Sequence, residues 1–198
     1  MTDILRIVGP ILAASGFAPY LLSTIKGKVK PRVASWATWT MVTGIATAAE
    51  LSKHSYTSAL LTGIATIPEA LILVMALKNG DFDYSWVDGV SQILSIAGII
   101  FWLSTSSPMG AIVANILADL FGAVPTFYHI WIKPHEEAWL PFLISAVGSG
   151  MSLLAVANFG IVAAGFPIYL LLIDSSLSLS IFLRQKAVGI NNIAYHSR

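Results

Sequence analysis

Seven long apolar runs restrict the fold of this chain more than any other feature. They cover approximately residues 4–25, 34–50, 57–77, 87–104, 108–132, 139–158 and 160–183. A helix needs about 20 mostly apolar residues to cross a bilayer. Of the 198 residues, 56% are hydrophobic and only 11% are charged, which is too apolar for a soluble domain of this length. The sequence therefore predicts an integral membrane protein.

The continuity of the runs indicates the class of membrane fold. Lipid offers no hydrogen bonds to the backbone, so only helices and closed barrels cross it, and barrel strands alternate between apolar and polar residues. We therefore expect an all-α polytopic protein with seven transmembrane helices. The first run lacks a small-residue cleavage region, so we expect it to be retained and not removed as a signal peptide. The absence of cysteine excludes disulfides, thiolate metal sites and cysteine nucleophiles.

Lysine and arginine are divided unequally between the two sides that seven crossings define. Nine lie on one side, namely Lys26, Lys28, Lys30, Arg32, Lys78, Lys133, Arg184, Lys186 and Arg198, and two, Arg6 and Lys53, lie on the other. Because loops rich in positive charge stay in the cytoplasm, we expect an external N-terminus and a cytoplasmic C-terminus, in a cell inner membrane. The basic loop 26–32 is then a topology signal. Trp36 and Trp139, at the cytoplasmic ends of their runs, are predicted to be interface anchors.

Three landmarks occur in the same order in both halves of the chain. Lys-Pro-x-x-x-x-Trp occurs at residues 30–36 and 133–139, Gly-x-x-Pro precedes it at 16–19 and 122–125, and Pro68 or Pro167 follows it. This order predicts two three-helix repeats joined by a linker helix (3+1+3). The repeats would cover residues 1–80 and 107–186, with the linker at 81–106 and a cytoplasmic tail at 187–198. Runs 1 and 5 cross in the same direction, so the repeats are parallel. In transporters built from parallel repeats, the substrate site lies between the two halves.

Proline and small residues within the runs suggest where helices bend and where they pack. Proline removes a backbone donor and weakens the helix one turn back, so the candidate hinges are Pro19, Pro125, Pro68 and Pro167. A static kink is the alternative at each position. Pairs of small residues four apart, Gly44/Ala48, Ala146/Gly150 and Gly148/Ser152, predict close contacts with neighbouring helices.

Three carboxylates fall near the midpoints of runs, and they are the leading candidates for substrate binding or proton coupling. They are Glu69, Asp119 and Asp174, and no lysine or arginine lies at a matching depth. An unpaired buried carboxylate costs several kcal/mol, so each must be protonated, hydrated in a cavity or paired with a cation. The alternative is a neutral acid bonded to a helix backbone.

The neighbours of these acids distinguish them. Asp119 is the strongest candidate, because Asn115 lies one turn earlier and Gly122 shares that face. Asp174 is flanked by hydroxyls that could solvate it, Ser175, Ser176 and Ser178, and Glu69 follows Pro68 directly. Trp39 is a further candidate that could face either a cavity or the lipid.

Histidines and loop acids carry a weaker signal. His129, near the inner end of run 5, is interpreted as an interfacial residue. His135, Glu136 and Glu137 are interpreted as a solvated loop, since adjacent positions in a short loop diverge and no second cluster accompanies them. The sequence predicts neither a metal nor a cofactor.

In its helix plan and in its Gly-x-x-Pro segments before a basic loop, the chain resembles the SWEET and PQ-loop transporter superfamily. Its second half, from Asp119-Leu-Phe-Gly122-Ala-Val-Pro125-Thr126 to Pro134-His-Glu136, is similar to an uncharacterised bacterial seven-helix group. The resemblance implies alternating access, in which two three-helix bundles rock about a central cavity with prolines as hinges. Tyr20 and Thr126 stand where a PQ-loop protein has glutamine after the proline.

The functional expectation is a membrane transporter for a small polar metabolite such as a sugar, amino acid or vitamin, with proton linkage as an option. Its expected partners are that solute and the lipid bilayer, with no nucleic acid, and assembly with further copies stays open. The alternative is a seven-helix sensor or assembly factor without transport activity. We expect no enzyme, because His-Glu-x-x-His and Gly-x-Ser-x-Gly are both absent from the sequence.

Overall fold

The computed structural model describes residues 2–52, 54, 56–105, 107–156 and 160–189, and these form eight α-helices and one short 3-10 helix. The α-helices are α1 Thr2–Ser15, α2 Phe17–Ile25, α3 Val33–Ser52, α4 Tyr56–Asn79, α5 Trp86–Ser104, α6 Pro108–Ile132, α7 Trp139–Leu154 and α8 Ile161–Ala187; the 3-10 helix is Pro134–Glu136. Within the described ranges no β-strand forms, so the all-α prediction is confirmed. Most of the predicted tail, residues 190–198, lies outside them, as does Lys53.

Five helical stretches in these ranges are long and apolar enough to cross a membrane. They are Ile7–Ile25, Thr62–Asn79, Trp86–Ser104, Met109–Ile132 and Ala163–Ala187. The 16-residue α7 is apolar but shorter. The 20-residue α3 falls outside the set because four threonines and two tryptophans lower its hydropathy. The chain is therefore a helical membrane protein.

The first apolar run is divided into two helices at Gly16. Pro19 has no N–H to offer the carbonyl of Ser15, which weakens the helix at this turn. At the break itself, the amide of Gly16 donates to Ala13 O at 3.2 Å. Pro68, Pro125 and Pro167 lie inside unbroken helices. Of the four predicted hinges, only Pro19 is next to a break.

The helices pack in a reciprocal pattern. In the first half, α4 contacts α1, α2 and α3, and in the second half α8 contacts both α6 and α7. Between the halves, α1 packs on α7 and α3 packs on α6. The first helix of each half thus contacts the second helix of the other. Helix α5 packs mainly on α6.

The contact between α1 and α7 is close because glycine lines it. A Cβ on Gly148 would lie 2.6 Å from Gly9 O and would also strike the backbone of Ala13. A Cβ on Gly9 would meet Ser152. The predicted Gly148/Ser152 contact is therefore confirmed, whereas a Cβ on Gly150 would find its nearest neighbour, a Leu171 methyl, at an ordinary 3.7 Å.

Gly148→Ala is expected to destabilise the protein by about 1–3 kcal/mol, because the new methyl group forces α1 away from α7. Gly150→Ala on the same helix is the matched control. It has room for the methyl group and should be neutral or stabilising by up to about 1 kcal/mol through helix propensity. Thermal unfolding of the two variants in detergent measures the difference. Equal stability of both would contradict the close packing.

Four aromatic side chains, Tyr20, Trp36, Trp39 and Phe142, belong to the larger of the two buried hydrophobic clusters that the described residues form. Trp36 is 0% exposed and lies with its ring centroid 4.9 Å from that of Tyr20 and 5.2 Å from that of Trp39. The interpretation of Trp36 as an interface anchor is wrong, because a ring enclosed by other rings cannot reach lipid headgroups. Trp139, the other predicted anchor, is partly buried against Phe182, with ring centroids 5.9 Å apart.

Candidate functional site

A cavity of about 290 Å³ lies between the two halves of the bundle. Every α-helix except α5 contributes to its wall, which includes Phe17, Trp39, Thr43, Glu69, Asp119, Phe142, Ser145, Ser149, Phe166 and Asp174. The cavity extends toward the end of the bundle where Thr62 and Ser152 lie. All three predicted mid-helix carboxylates therefore line the same cavity.

Each carboxylate accepts a hydrogen bond from a hydroxyl on another helix. Thr43 Oγ1 donates to Glu69 Oε2 at 2.7 Å, and Ser145 Oγ donates to Asp174 Oδ2 at 2.6 Å. Tyr169 OH donates to Asp119 Oδ2 at 2.6 Å. The expectation that the serines beside Asp174 solvate it is not met, because the donor comes from α7.

The depth of the carboxylates follows from helix geometry. Asp174 is 13 residues from both ends of α8, which at 1.5 Å per residue is about 20 Å from either end. Asp119 lies near the middle of the 25-residue α6. The described residues that line the cavity include no lysine, arginine or histidine. The hydrogen-bond partners of the acids are therefore hydroxyl groups, and no cation among these lining residues neutralises them.

The other two predicted site residues differ in their placement. Trp39 lines the cavity, is 8% exposed and donates from Nε1 to Asp119 O at 3.4 Å. Asn115 does not line the cavity, and its Oδ1 has no hydrogen-bond partner among the described residues. The predicted open polar face through Gly122 is wrong, since a Cβ on Gly122 would lie 2.8 Å from Thr38 Cγ2. At that position α3 packs tightly on α6.

A network of buried charges lies at the opposite end of the bundle, and the sequence did not reveal it. The charged network comprises Tyr20, Lys30, Arg32, Asp81, Asp88, His129, Lys133, Glu136 and Glu137. Arg32 is 1% exposed, and it donates from Nε to Asp88 Oδ1 at 2.9 Å and from Nη1 to Asp81. A residue interpreted only as a topology signal is thus enclosed and paired.

The two Lys-Pro segments meet within this network. The amide of Lys30 donates to Glu136 O at 2.9 Å, and its Nζ donates to Glu136 Oε1 at 2.8 Å. Lys133 Nζ donates to Asp81 Oδ1 at 2.9 Å, while Asp81 N donates to Pro31 O at 3.1 Å. We call this end of the bundle the Lys-Pro end.

His129 and the acids after it are buried, so two interpretations from the sequence are wrong. His129 and Glu137 are both 0% exposed, with His129 Nδ1 2.9 Å from Glu137 Oε1. The interfacial interpretation of His129 is therefore wrong, and the solvated-loop interpretation is wrong for Glu136 and Glu137 but right for His135, whose side chain is 63% exposed. The histidine sits between acids because the loop after α6 folds back as a 3-10 helix, which returns Glu136 to 3.1 Å from His129 Nε2.

Asp81, His129 and Glu136 also place donor atoms close enough together to hold one metal ion. Their carboxylate oxygens, however, already accept hydrogen bonds from the side chains of Arg32, Lys133 and Lys30. A cation at this position would have to displace positive side chains. The donor set therefore fits an ion-pair network better than a metal centre.

The charges of this network shift the pKa values of its loop carboxylates. Burial alone would raise the pKa of Asp81, but hydrogen bonds from Lys133 and Arg32 hold that pKa below its ordinary value. Glu136 follows the same pattern, since burial opposes and Lys30 and His129 lower its pKa. The pKa of Lys133 is raised by Asp83 and Asp81. Both carboxylates therefore stabilise the fold in their ionised form.

Acid is expected to weaken the protein through these two groups. A lowered folded-state pKa gives stability that is complete above the ordinary pKa and is lost as the pH falls below about 4. Thermal unfolding measured from about pH 7 to about pH 3 should therefore show a fall at the acid end. Asp81→Asn should be less stable near neutrality and should show a smaller acid-dependent fall. An unchanged fall in this variant would contradict the assignment.

An aromatic layer, made of Trp36, Trp39 and Phe142, separates the cavity from the charged network. Phe142 lies on the cavity wall with its ring centroid 6.0 Å from that of Tyr20 and 6.5 Å from that of Trp39. Tyr20 OH donates to Glu137 Oε2 at 2.7 Å. The same tyrosine therefore contacts both the aromatic layer and the network, and the layer covers the cavity on the side of the Lys-Pro end.

Sequence reasoning missed the hydroxyl donors because each lies inside an apolar run. Ser145 and Tyr169 have no acidic neighbour within one turn in the sequence, so only their spacing on α7 and α8 could have suggested them.

No protein-family model, curated protein or solved structure matches the chain. The site therefore defines the protein as a helical membrane protein with a carboxylate-lined internal cavity.

Proposed function

We propose that this protein is a membrane transporter that moves a small polar solute by alternating access. The observation that carries the proposal is the cavity between the two halves, with Glu69, Asp119 and Asp174 on its wall. Intramembrane carboxylates are costly, and in membrane proteins they mark substrate or ion pathways. A merely structural interior would be better filled with apolar side chains.

The proposal includes seven crossings arranged as 3+1+3, with the N-terminus outside. Reciprocal packing of α1 on α7 and of α3 on α6 supports two parallel repeats related by an axis along the membrane normal. The meeting of residues 30–31 with 133–136 at one end supports the same axis, because parallel repeats bring equivalent loops together. This arrangement agrees with the resemblance to SWEET and PQ-loop transporters.

The proposed cycle begins from a state closed at the Lys-Pro end. The aromatic layer and the charged network cover the cavity there, whereas the cavity extends toward Thr62 and Ser152 at the other end. In the N-outside orientation this state faces outward. Opening inward separates the two Lys-Pro segments, which breaks the bonds between Lys30 and Glu136. The break at Gly16 is next to this layer and provides a hinge.

The acids are well placed to couple transport to protons. Each has a hydroxyl donor and none has a cationic side chain beside it among the described residues. In a cavity of low dielectric, a carboxyl group changes charge on protonation, and this charge biases the two states of the transporter. Proton linkage is therefore part of the proposal.

Uptake into proteoliposomes tests the proposal. A panel of sugars, amino acids and vitamins is offered to the purified full chain, with and without an imposed pH gradient. We expect uptake of at least one solute above that of protein-free vesicles, with a rate that responds to the gradient. Absence of uptake across the panel would favour the alternative of a sensor or assembly factor.

A further inference from the structure

The charge balance of the cavity indicates what kind of ligand it holds. Three carboxylates line it, and its described lining residues include no basic side chain. The hydrogen bonds from Thr43, Tyr169 and Ser145 occupy one oxygen of each carboxyl group, at Glu69 Oε2, Asp119 Oδ2 and Asp174 Oδ2. For the second oxygen of each, no donor is found among the described residues. A ligand with positively charged N–H groups would supply such donors.

An independent observation comes from Ser149. This residue is 3% exposed and lines the cavity, and its Oγ has no hydrogen-bond partner among the described residues. A buried hydroxyl without a partner costs free energy, so a ligand that bonds to it recovers that cost. Ser149 lies one turn from Ser145, which donates to Asp174. The unsatisfied hydroxyl is therefore close to a carboxylate.

Four aromatic rings contribute to the wall as well. Phe17, Trp39, Phe142 and Phe166 all line the cavity. Ring faces attract ammonium groups, and they also accommodate an apolar body. The volume of about 290 Å³ lies at the lower end of the range typical of small-molecule sites. The cavity therefore suits a small molecule that is cationic at one end and apolar at the other.

We propose that the cavity binds an organic cation, an ammonium group carried on a small apolar or aromatic body. The idea that this ligand is the transported solute rests on the proposed transport function, whereas the idea that it binds in the cavity does not. The ammonium group, with at most three N–H donors, bonds to free carboxylate oxygens and to Ser149 as its position allows, and the body packs against the rings. Sugars and organic acids are disfavoured, because they bring no positive charge to three acids.

Protons compete with this ligand for the same oxygens. The titratable groups on the cavity wall are the three acids, and Tyr169 is next to them because its hydroxyl bonds to Asp119. A protonated carboxyl group has lost the charge that attracts an ammonium group. Affinity for the cation therefore falls as the pH is lowered.

Three probes of similar size and different charge test the inference. Phenethylamine is cationic near neutral pH, phenethyl alcohol is neutral and phenylpropionate is anionic. Binding to the full chain in detergent is followed by calorimetry and by the fluorescence of Trp39 and the other tryptophans. Hydrogen bonds to charged groups contribute about 1.5–3 kcal/mol, so we expect the amine to bind about tenfold to a hundredfold more tightly than the alcohol. The anion should bind weakest.

Variants connect the preference to the cavity. Glu69→Gln, Asp119→Asn and Asp174→Asn should each reduce the preference for the amine, whereas Asp83→Asn, at an exposed acid outside the cavity, should not. Ser149→Ala should weaken amine binding, with the exposed Ser176→Ala on α8 as its control. Size-exclusion profiles and unfolding temperatures confirm that each variant is folded.

The outcomes separate this inference from the proposed function. Equal binding of amine and alcohol, stronger binding of the anion, or no binding of any probe would overturn the inference. Binding of the amine, together with no uptake of any solute into proteoliposomes, would support the inference and count against transport. Uptake of sugars without any binding of amines would support transport and overturn the inference.

Discussion

Arg32→Ala is expected to destabilise the protein by about 3–5 kcal/mol, because it leaves buried carboxylates without a counter-charge. Asp88 is 0% exposed and Asp81 is 7% exposed, and Arg32 bonds to both. The effect should exceed that of removing any exposed basic residue of the same loop, since surface charges contribute about 0–1 kcal/mol.

Unfolding in detergent measures this effect, and Lys26→Ala is the control. Lys26 is exposed and lies six residues before Arg32 in the same basic loop. Arg32→Lys keeps the charge but loses the paired bonds to Asp88, so it should fall between the two. Addition of Asp81→Asn and Asp88→Asn to Arg32→Ala should recover part of the loss, because no uncompensated charge then remains. A loss for Arg32→Ala no larger than that for Lys26→Ala would contradict the network.

Asp119→Asn is expected to lower uptake by about tenfold or more and to remove its response to a pH gradient. The amide has almost the shape of the carboxyl group and still accepts the hydrogen bond from Tyr169. It carries no charge at any pH, so it neither binds a proton nor attracts an ammonium group. The loss of one hydrogen bond to a charged group, about 1.5–3 kcal/mol, sets the expected magnitude.

Tyr169→Phe distinguishes the charge from the hydrogen bond. This variant removes the donor to Asp119 but leaves the carboxyl group in the cavity. It should retain a gradient-dependent uptake, with a changed pH profile. If Asp119→Asn takes up solute as fast as the unchanged protein does, and with the same response to the pH gradient, coupling through Asp119 is wrong.

The helices could be predicted because lipid imposes a simple rule on them. The run 108–132 coincides with α6, and the run 57–77 lies within α4. The mid-helix acids could likewise be found from sequence, since a carboxylate in an apolar run is rare and costly. Their convergence on one cavity follows the prediction that sites lie between the halves.

The network could not be predicted because its partners are distant in the chain. Arg32 bonds to residues 49 and 56 positions later, and no periodicity connects them. Counting charges for topology treats every lysine and arginine as solvated, so a buried arginine escapes it. Trp36 escaped for a similar reason, because a tryptophan at the end of an apolar run occupies the same sequence position whether lipid or protein surrounds it.

The separation between Arg32 and its acids has a consequence for biosynthesis. The chain is made from its N-terminus, so Arg32 emerges from the ribosome well before Asp81 and Asp88 exist. During insertion it acts as an unpaired positive charge and helps retain its loop on the cytoplasmic side, in the proposed orientation. Once α4 and the start of α5 follow, the same charge is neutralised within the folded protein. One guanidinium thus orients the nascent chain first and stabilises the finished bundle afterwards.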